Sequence, residues 1–297
     1  TFFLLALGAA RRWMLGGGSG WVAATLGFWL LALGSKETAV MFAVVVIAYD
    51  RLVLPGTAAD RRRRLIGLHM PVMAVTVLAV SIRLAIFAAV EHPGQVDLDW
   101  SLGLVELDVV RRYLTMLLAP GGQAVFHELT PVSGWLDGRV LSGLAVLGVL
   151  AAIAWRVRRS AGMVSFGILW FLLACVPYSA LVILGHGEPM AEQRVYLASA
   201  GLFLALGASV ARLEAWRNWT TRRGARVVFA AVVVSVLALL SMHTVLRNAI
   251  WGNPVMLFSE AVDRAPTNWH AQLLLGEALH DAGRHNDAIG AFTVAMQ

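Results

Sequence analysis

What most limits this chain is the length of its uncharged stretches. Apolar runs at 21–34, 37–54, 66–90, 140–155, 163–184, 195–212 and 227–246, and another from Thr1 to Ala10, are separated by short polar segments, apart from the longer stretch 91–139. In hydrocarbon every backbone N–H and C=O must be satisfied internally, so runs of this length are read as membrane helices. Hydrophobic residues make up 59% of the 297 residues and charged residues 14%, where a soluble domain carries roughly a quarter. The fold class expected is all-α: a polytopic membrane helix bundle over 1–246 and a smaller, more polar helical region over 247–297. The chain starts without methionine inside an apolar run and stops inside a helical pattern, so both regions are read as truncated.

The basic residues set the expected topology. Arg11-Arg12, the Arg51 to Arg64 segment, Arg156 to Arg159 and the Arg212 to Arg226 segment lie between apolar runs. Short loops rich in arginine face the cytoplasm and anionic lipid. The net charge of +6 therefore points to membrane lipid as the partner and not to nucleic acid. Ser35 to Thr38, 91–139, Leu184 to Arg194 and everything after Arg247 then fall on the outer side. Leu104 to Ala119 is apolar enough to be considered as a span. A crossing there would flip every later segment, and Arg111 and Arg112 interrupt it. It is read as a helix in the outer interface, ended by Pro120-Gly121-Gly122.

Several local features have bland readings. Gly16 to Gly20 lacks a following Lys-Ser/Thr and joins two helices, so it is a flexible turn and not a phosphate loop. Cys175 sits in an apolar run as a packing residue. Trp135, Trp170 and Tyr178 are core or interface aromatics, and Pro177 predicts a kink. His69, His127, His243, His280 and His285 are read as having no metal-ligand spacing to one another. After Arg247 the pattern changes. Leu275, Gly276, Leu279, Gly283, Ala288, Phe292 and Ala295 fit one tetratricopeptide repeat, and Phe258 and Ala261 recur 34 residues later as Phe292 and Ala295, the period of that repeat. One and a half repeats do not bury a solenoid core, so further repeats are expected beyond Gln297.

The charged residues at the outer rim are the candidate site. Lys36, the only lysine in the chain, stands beside Glu37 between two apolar runs, which is costly unless the pair lies at a water interface, is paired, or binds something. Glu188, Glu192, Arg194 and Arg247 share that rim, with His186 and Tyr196 beside them. Lysine as a point charge and arginine as a bidentate donor make a clamp for phosphate. The carboxylates would pair with these cations, position an acceptor, or hold a divalent metal through oxygen. The alternative is a structural ion pair at Lys36 with Arg194 holding lipid headgroups.

Four patterns carry a resemblance: Leu33-Gly34-Ser35-Lys36-Glu37-Thr38; Gly167 to Leu172 with Cys175-Val176-Pro177; Ala191-Glu192-Gln193-Arg194-Val195-Tyr196-Leu197-Ala198-Ser199-Ala200-Gly201; and Leu246-Arg247-Asn248-Ala249-Ile250-Trp251 leading into the repeats. Together they resemble the transmembrane-and-tetratricopeptide-repeat O-mannosyltransferase group, of GT-C type fold, and more closely its bacterial relatives. Ala198 departs from the proline usual in the group. The resemblance implies transfer of a mannose-like hexose from a polyprenyl-phosphate donor to a hydroxyl of a protein or glycan acceptor. It implies a bacterial inner-membrane location with the repeats on the periplasmic face. Lys36 and Arg194 would bind the donor phosphate, supported by Glu37, Glu192, Tyr196 and His186. The acidic catalytic residue of the group belongs to an external loop that would precede Thr1, so no catalytic base is assigned and this stretch alone is expected to be inactive. No cofactor is implied beyond a possible divalent metal. The competing readings are a non-enzymatic membrane scaffold whose repeats bind partners, and a transporter. The latter is disfavoured because the charges lie at one rim and not at the midplane.

Overall fold

The computed structural model describes residues 1–87, 89, 100–183, 190–217 and 223–296. The structure is 82% helical, with no strand among the described residues. Five helices among them are long and apolar enough to cross a membrane: Ala58–Ile86, Gly138–Val157, Gly162–Ser179, Glu192–Glu214 and Arg223–Trp251. This is a multi-pass, all-α membrane protein. The chain divides into two compact units that interleave along the sequence. The first comprises Thr1–Arg111, Val132–Gly187 and Arg194–Ser209, and the second Arg112–Pro131, Glu188–Gln193 and Val210–Gln297.

In the first unit, α1 (Phe2–Met14) and α2 (Gly20–Ser35) pack against each other. The glycine-rich turn joins them, with Gly16 at φ +104°, a conformation that disfavours a β-carbon. Lys36 is extended and ends α2. The next helix does not start directly, as the apolar run implied. A 3-10 turn, Glu37–Met41, precedes α3 (Phe42–Leu52), and the Trp29 indole N–H donates to the Ala39 carbonyl at 2.9 Å to hold it against α2. The arginine-rich segment also differs from the expected loop. Thr57 and Asp60 form a reciprocal capping box that satisfies first-turn donors. Arg61–Arg64 therefore lie in α4 (Ala58–Arg64), which runs through a π turn, Leu65–His69, into α5 (Met70–Ile86).

Three further helices complete this unit: the first half of α6 (Trp100–Leu118), then α7 (Gly138–Val157) and α8 (Gly162–Ile183), with α9 (Val195–Arg217) entering from its N-terminus. Aromatic rings link α1, α2, α3 and α8. Phe3 meets Phe42 at 5.3 Å and Trp170 at 5.4 Å, Phe42 meets Trp29 at 6.3 Å, and Phe166 meets Tyr49 at 5.3 Å. Such edge-to-face and stacked pairs pack densely without polar groups. Between α8 and α9 a β-carbon on Gly201 would lie 2.6 Å from the Gly167 carbonyl oxygen, so two glycines let the backbones meet. The Trp170 indole N–H donates to the Leu197 carbonyl at 2.9 Å across the same junction.

One end of this unit is basic. Arg11 Nε donates to the Tyr49 hydroxyl at 3.1 Å, the Arg63 guanidinium lies 5.0 Å from the Trp13 ring, and Gly162 packs on the Leu52 carbonyl. A buried cluster sits there too: Asp50 accepts from Arg64 Nη1 at 2.7 Å and meets His69 Nε2 at 2.9 Å. The π turn carries His69 to this position, and Arg64 also donates to the Pro55 carbonyl at 3.1 Å.

The second unit holds the rest of α6, the strip 120–131, α10 (Arg223–Trp251), α11 (Pro254–Arg264), α12 (Trp269–Asp281) and α13 (His285–Ala295). No residue of α10 is buried, as for a helix surrounded by lipid. Helices α12 and α13 form an antiparallel hairpin turned at Gly283, φ +75°. Its core is Leu279, Ala288 and Ala291, with Val255, Leu275 and Phe292 against them. A β-carbon on Gly276 would meet the Phe292 ring at 2.5 Å, so the glycine makes room for that ring. Arg247 and Arg264 both pair with Glu260, joining the end of α10 to α11.

Candidate functional site

The site lies at the end of the first unit opposite the arginines. Breaking α2 at Lys36 places that side chain at the rim, and the start of α9 places Arg194 there. Both reach one ring. Lys36 Nζ is 5.7 Å and the Arg194 guanidinium carbon 5.2 Å from the centre of the Tyr178 ring on α8. An aromatic face attracts each cation electrostatically. It lowers the cost of bringing two like charges together without cancelling either. Among the described residues no carboxylate pairs with Lys36, so the expected alternative of a structural ion pair has no partner there.

Beside Lys36 is a cleft of about 380 Å³ walled by α2, the 3-10 turn, α5 and α8. Leu33, Val40, Ala79, Val80, Leu84 and Pro177 give it apolar walls, and Lys36, Glu37 and Arg83 add charge. An apolar slot with cations on its wall is suited to an amphiphile with an anionic head. Pro177 lines the cleft and the next residue, Tyr178, carries the cations, so cleft and cation pair are contiguous.

A third component comes from α6. Gly143 on α7 packs directly on the Leu107 backbone, which seats α6 and buries Glu106, only 5% exposed. Ser179 Oγ donates to Glu106 Oε2 at 2.8 Å, while Glu106 Oε1 has no hydrogen-bond partner among the described residues. Burial pushes this carboxyl up to about 7, opposed by the Ser179 hydrogen bond and by the positive charge of Arg194. Asp108, two residues further along α6, is paired with Arg111 at 2.5 Å.

The structure thus brings Lys36 and Arg194 together. Glu37 opens the 3-10 turn and is exposed at the cleft. Tyr196 is 84% exposed and presents its ring to the surroundings. Glu192 belongs to the second unit, where its carboxylate accepts the Ala124 N–H at 2.6 Å and meets His127 Nε2 at 3.1 Å. His186 and Glu188 lie outside the described residues. Among the described residues no three His, Cys, Asp or Glu side chains gather as a metal site. Sequence reasoning missed Glu106, Ser179 and Arg83, and read Tyr178 as a packing aromatic. An available signal was Glu106 itself, an acid inside a stretch apolar enough to be considered as a span.

Fold and site geometry define a multi-pass helical membrane protein with two rim cations beside an apolar cleft. Among curated proteins, it is similar to the human Protein O-mannosyl-transferase TMTC1, with 29% identity over 131 residues, 44% of this chain. The matched stretch spans 14% of that protein's length. No family model matches the chain and no solved structure matches it.

Proposed function

We propose that the chain is part of a membrane glycosyltransferase of GT-C type. It would take a hexose from a polyprenyl-phosphate donor and pass it to a hydroxyl of a protein or glycan on the outer face. The observation that carries this reading is the convergence of Lys36 and Arg194 on Tyr178 beside an apolar cleft. The cleft takes the prenyl chain and the two cations take the phosphate. As the acceptor oxygen attacks the anomeric carbon, the bond to phosphate breaks and its electron pair leaves with the phosphate. Fixed cations aimed at that growing charge are the main source of acceleration in such a site. The similarity to a protein named as an O-mannosyl-transferase supports the reaction class. The attacking hydroxyl gives up its proton as the new C–O bond forms, and no described residue is assigned to accept it. The hairpin α12–α13 and the helix before it fit the start of a tetratricopeptide array on the same outer face, presenting the acceptor.

The test is binding of farnesyl phosphate to the purified chain in nanodiscs. Charge-assisted hydrogen bonds contribute about 1.5–3 kcal/mol each, so Lys36→Ala and Arg194→Ala should each weaken binding about tenfold or more. Unchanged affinity in both variants removes the donor site. In the complete protein, Lys36→Ala should abolish sugar transfer while folding is kept. Absence of transfer by the unmutated complete protein to any acceptor, with partners captured by the repeats, favours the scaffold reading instead.

A further inference from the structure

The hairpin turn of the second unit carries two imidazoles that the donor site does not use. His280 lies in the last turn of α12 and His285 opens α13. Five residues apart, they share no helix face. The turn between them brings them together. The Arg284 N–H donates to the Leu279 carbonyl and the Gly283 N–H to the His280 carbonyl, each at 2.9 Å, with Gly283 left-handed at φ +75°. These two bonds make a Schellman turn, which fixes how the second helix leaves the first. His280 Nδ1 then lies 3.2 Å from His285 Nδ1, with the ring centres 4.9 Å apart. Both side chains are exposed, so burial does not account for the contact.

Two imidazole nitrogens this close need something between them. Either one Nδ1–H donates to the other nitrogen, or both nitrogens give their lone pairs to a metal ion. The separation suits a metal. Nitrogens held about 2.0–2.1 Å from a tetrahedral zinc ion lie roughly 3.3 Å from each other. Two neutral imidazoles reach this form without losing a proton. The hydrogen between the rings moves to an Nε2 atom, and the two Nδ1 lone pairs form the metal–nitrogen bonds. The local charge also favours a cation. Glu277, Asp281 and Asp287 flank the pair in sequence, and Arg284 between the histidines is paired with Asp287 at 2.7 Å.

We propose that His280 and His285 form a two-histidine site for a borderline divalent transition metal, zinc or copper, that pins the α12–α13 turn. Imidazole selects such ions over magnesium and calcium, which take oxygen ligands. Among the described residues no group of three His, Cys, Asp or Glu side chains forms a metal site, so water completes the shell. The ion ties the end of one repeat helix to the start of the next, and its binding stabilises the closed hairpin by mass action. The site stands apart from the donor-phosphate reading.

The probe is Zn²⁺, titrated by calorimetry into the full chain, free of any affinity tag, in uncharged nanodiscs at about pH 8, where imidazole is neutral. One ion should bind per chain. Removing an outer hydrogen-bond partner of a metal ligand costs about 10–100-fold in affinity, so removing a ligand in His280→Ala or His285→Ala should cost at least about tenfold. His243→Ala, on α10, should bind as the unmutated chain does. With Cu²⁺ as probe, electron paramagnetic resonance should show two imidazole nitrogens on the ion, and one in either single variant. At free Zn²⁺ about ten times Kd, amide hydrogen exchange across α12 and α13 should slow about tenfold. That last measurement needs no substitution, and an ion held elsewhere on the chain would not produce it. Absence of Zn²⁺ and Cu²⁺ binding, undiminished affinity in His280→Ala or His285→Ala, or a hairpin that exchanges at the metal-free rate with Zn²⁺ bound overturns the site.

Discussion

Replacing Asp50 tests whether the basic end of the first unit is held by its buried cluster. The Asp50 side chain is fully enclosed, and those of Arg64 and His69 are 7% and 2% exposed. Asp50→Ala removes both the 2.7 Å partner of Arg64 and the 2.9 Å partner of His69. Among the described residues Arg64 would keep only the Pro55 carbonyl, for a guanidinium whose Nε already has no partner among them. Stranding a buried charge this way costs about 3–5 kcal/mol. Asp50→Asn should cost much less. Its amide oxygen accepts from Arg64, and its NH₂ donates to His69 Nε2 when that nitrogen carries no proton. The loss is then that of weakened hydrogen bonds, about 1–2 kcal/mol. The assay is equilibrium unfolding in mixed micelles, with far-ultraviolet circular dichroism confirming equal helix content at the start. If Asp50→Ala lies within about 1 kcal/mol of the unmutated protein, or Asp50→Asn is as damaging as alanine, the cluster does not hold the helices as described.

Two packing predictions follow from glycines, each with an internal control. Gly201→Leu should destabilise the α8–α9 contact by about 1–3 kcal/mol or more, because its β-carbon meets the Gly167 carbonyl oxygen at 2.6 Å and the Phe171 nitrogen at 2.8 Å. Gly207→Leu on the same helix, with nothing within 4 Å of its β-carbon, should be near neutral by the same unfolding measurement. Gly276→Leu should loosen the α12–α13 hairpin, read as faster hydrogen exchange in both helices, and Phe292→Ala should partly restore it by vacating the space. Restoration by Phe292→Ala at a hairpin already disrupted for another reason is not expected, so failure of the pair to compensate would falsify the contact.

Much of the membrane architecture was legible because length alone identifies a helix that spans hydrocarbon. The five long apolar helices and the hairpin over 269–295 follow from uninterrupted runs and from the placement of small and large residues. Two local errors have identifiable causes. Arg51 to Arg64 looked like a loop because its composition is charged, yet Thr57-Ala58-Ala59-Asp60 is a helix start and four arginines are good helix formers. The run 37–54 looked continuous because nothing in it is polar after Thr38 until Tyr49, and the 3-10 turn at its head depends on a hydrogen bond from Trp29 in another helix. The same limit applies to the site. Lys36 and Arg194 stood out as rare charges, and their nearness in space was inferred only through topology. Asp50, Arg64 and His69 lie on different helical segments, and Glu106 and Ser179 are 73 residues apart. No periodicity relates such pairs.

The position of Lys36 makes physical sense once these pieces are together. At 1.5 Å per residue the sixteen residues of α2 rise roughly 24 Å, less than the roughly 30 Å of hydrocarbon in a bilayer. A helix this short ends before the interface unless its terminal residue can bridge the gap. Lysine does so, because its long apolar stem follows the helix while the ammonium reaches the polar rim. The extended backbone at Lys36 turns the chain there, so α3 descends again with α8 alongside it, and Tyr178 of α8 comes up under the ammonium. A glutamate paired with Lys36 would have offset the same cost but cancelled the charge. An aromatic face stabilises the cation and leaves it available to an anion. The Arg194 guanidinium carbon lies 5.2 Å from the centre of the same ring, so one aromatic side chain serves two cations at this rim.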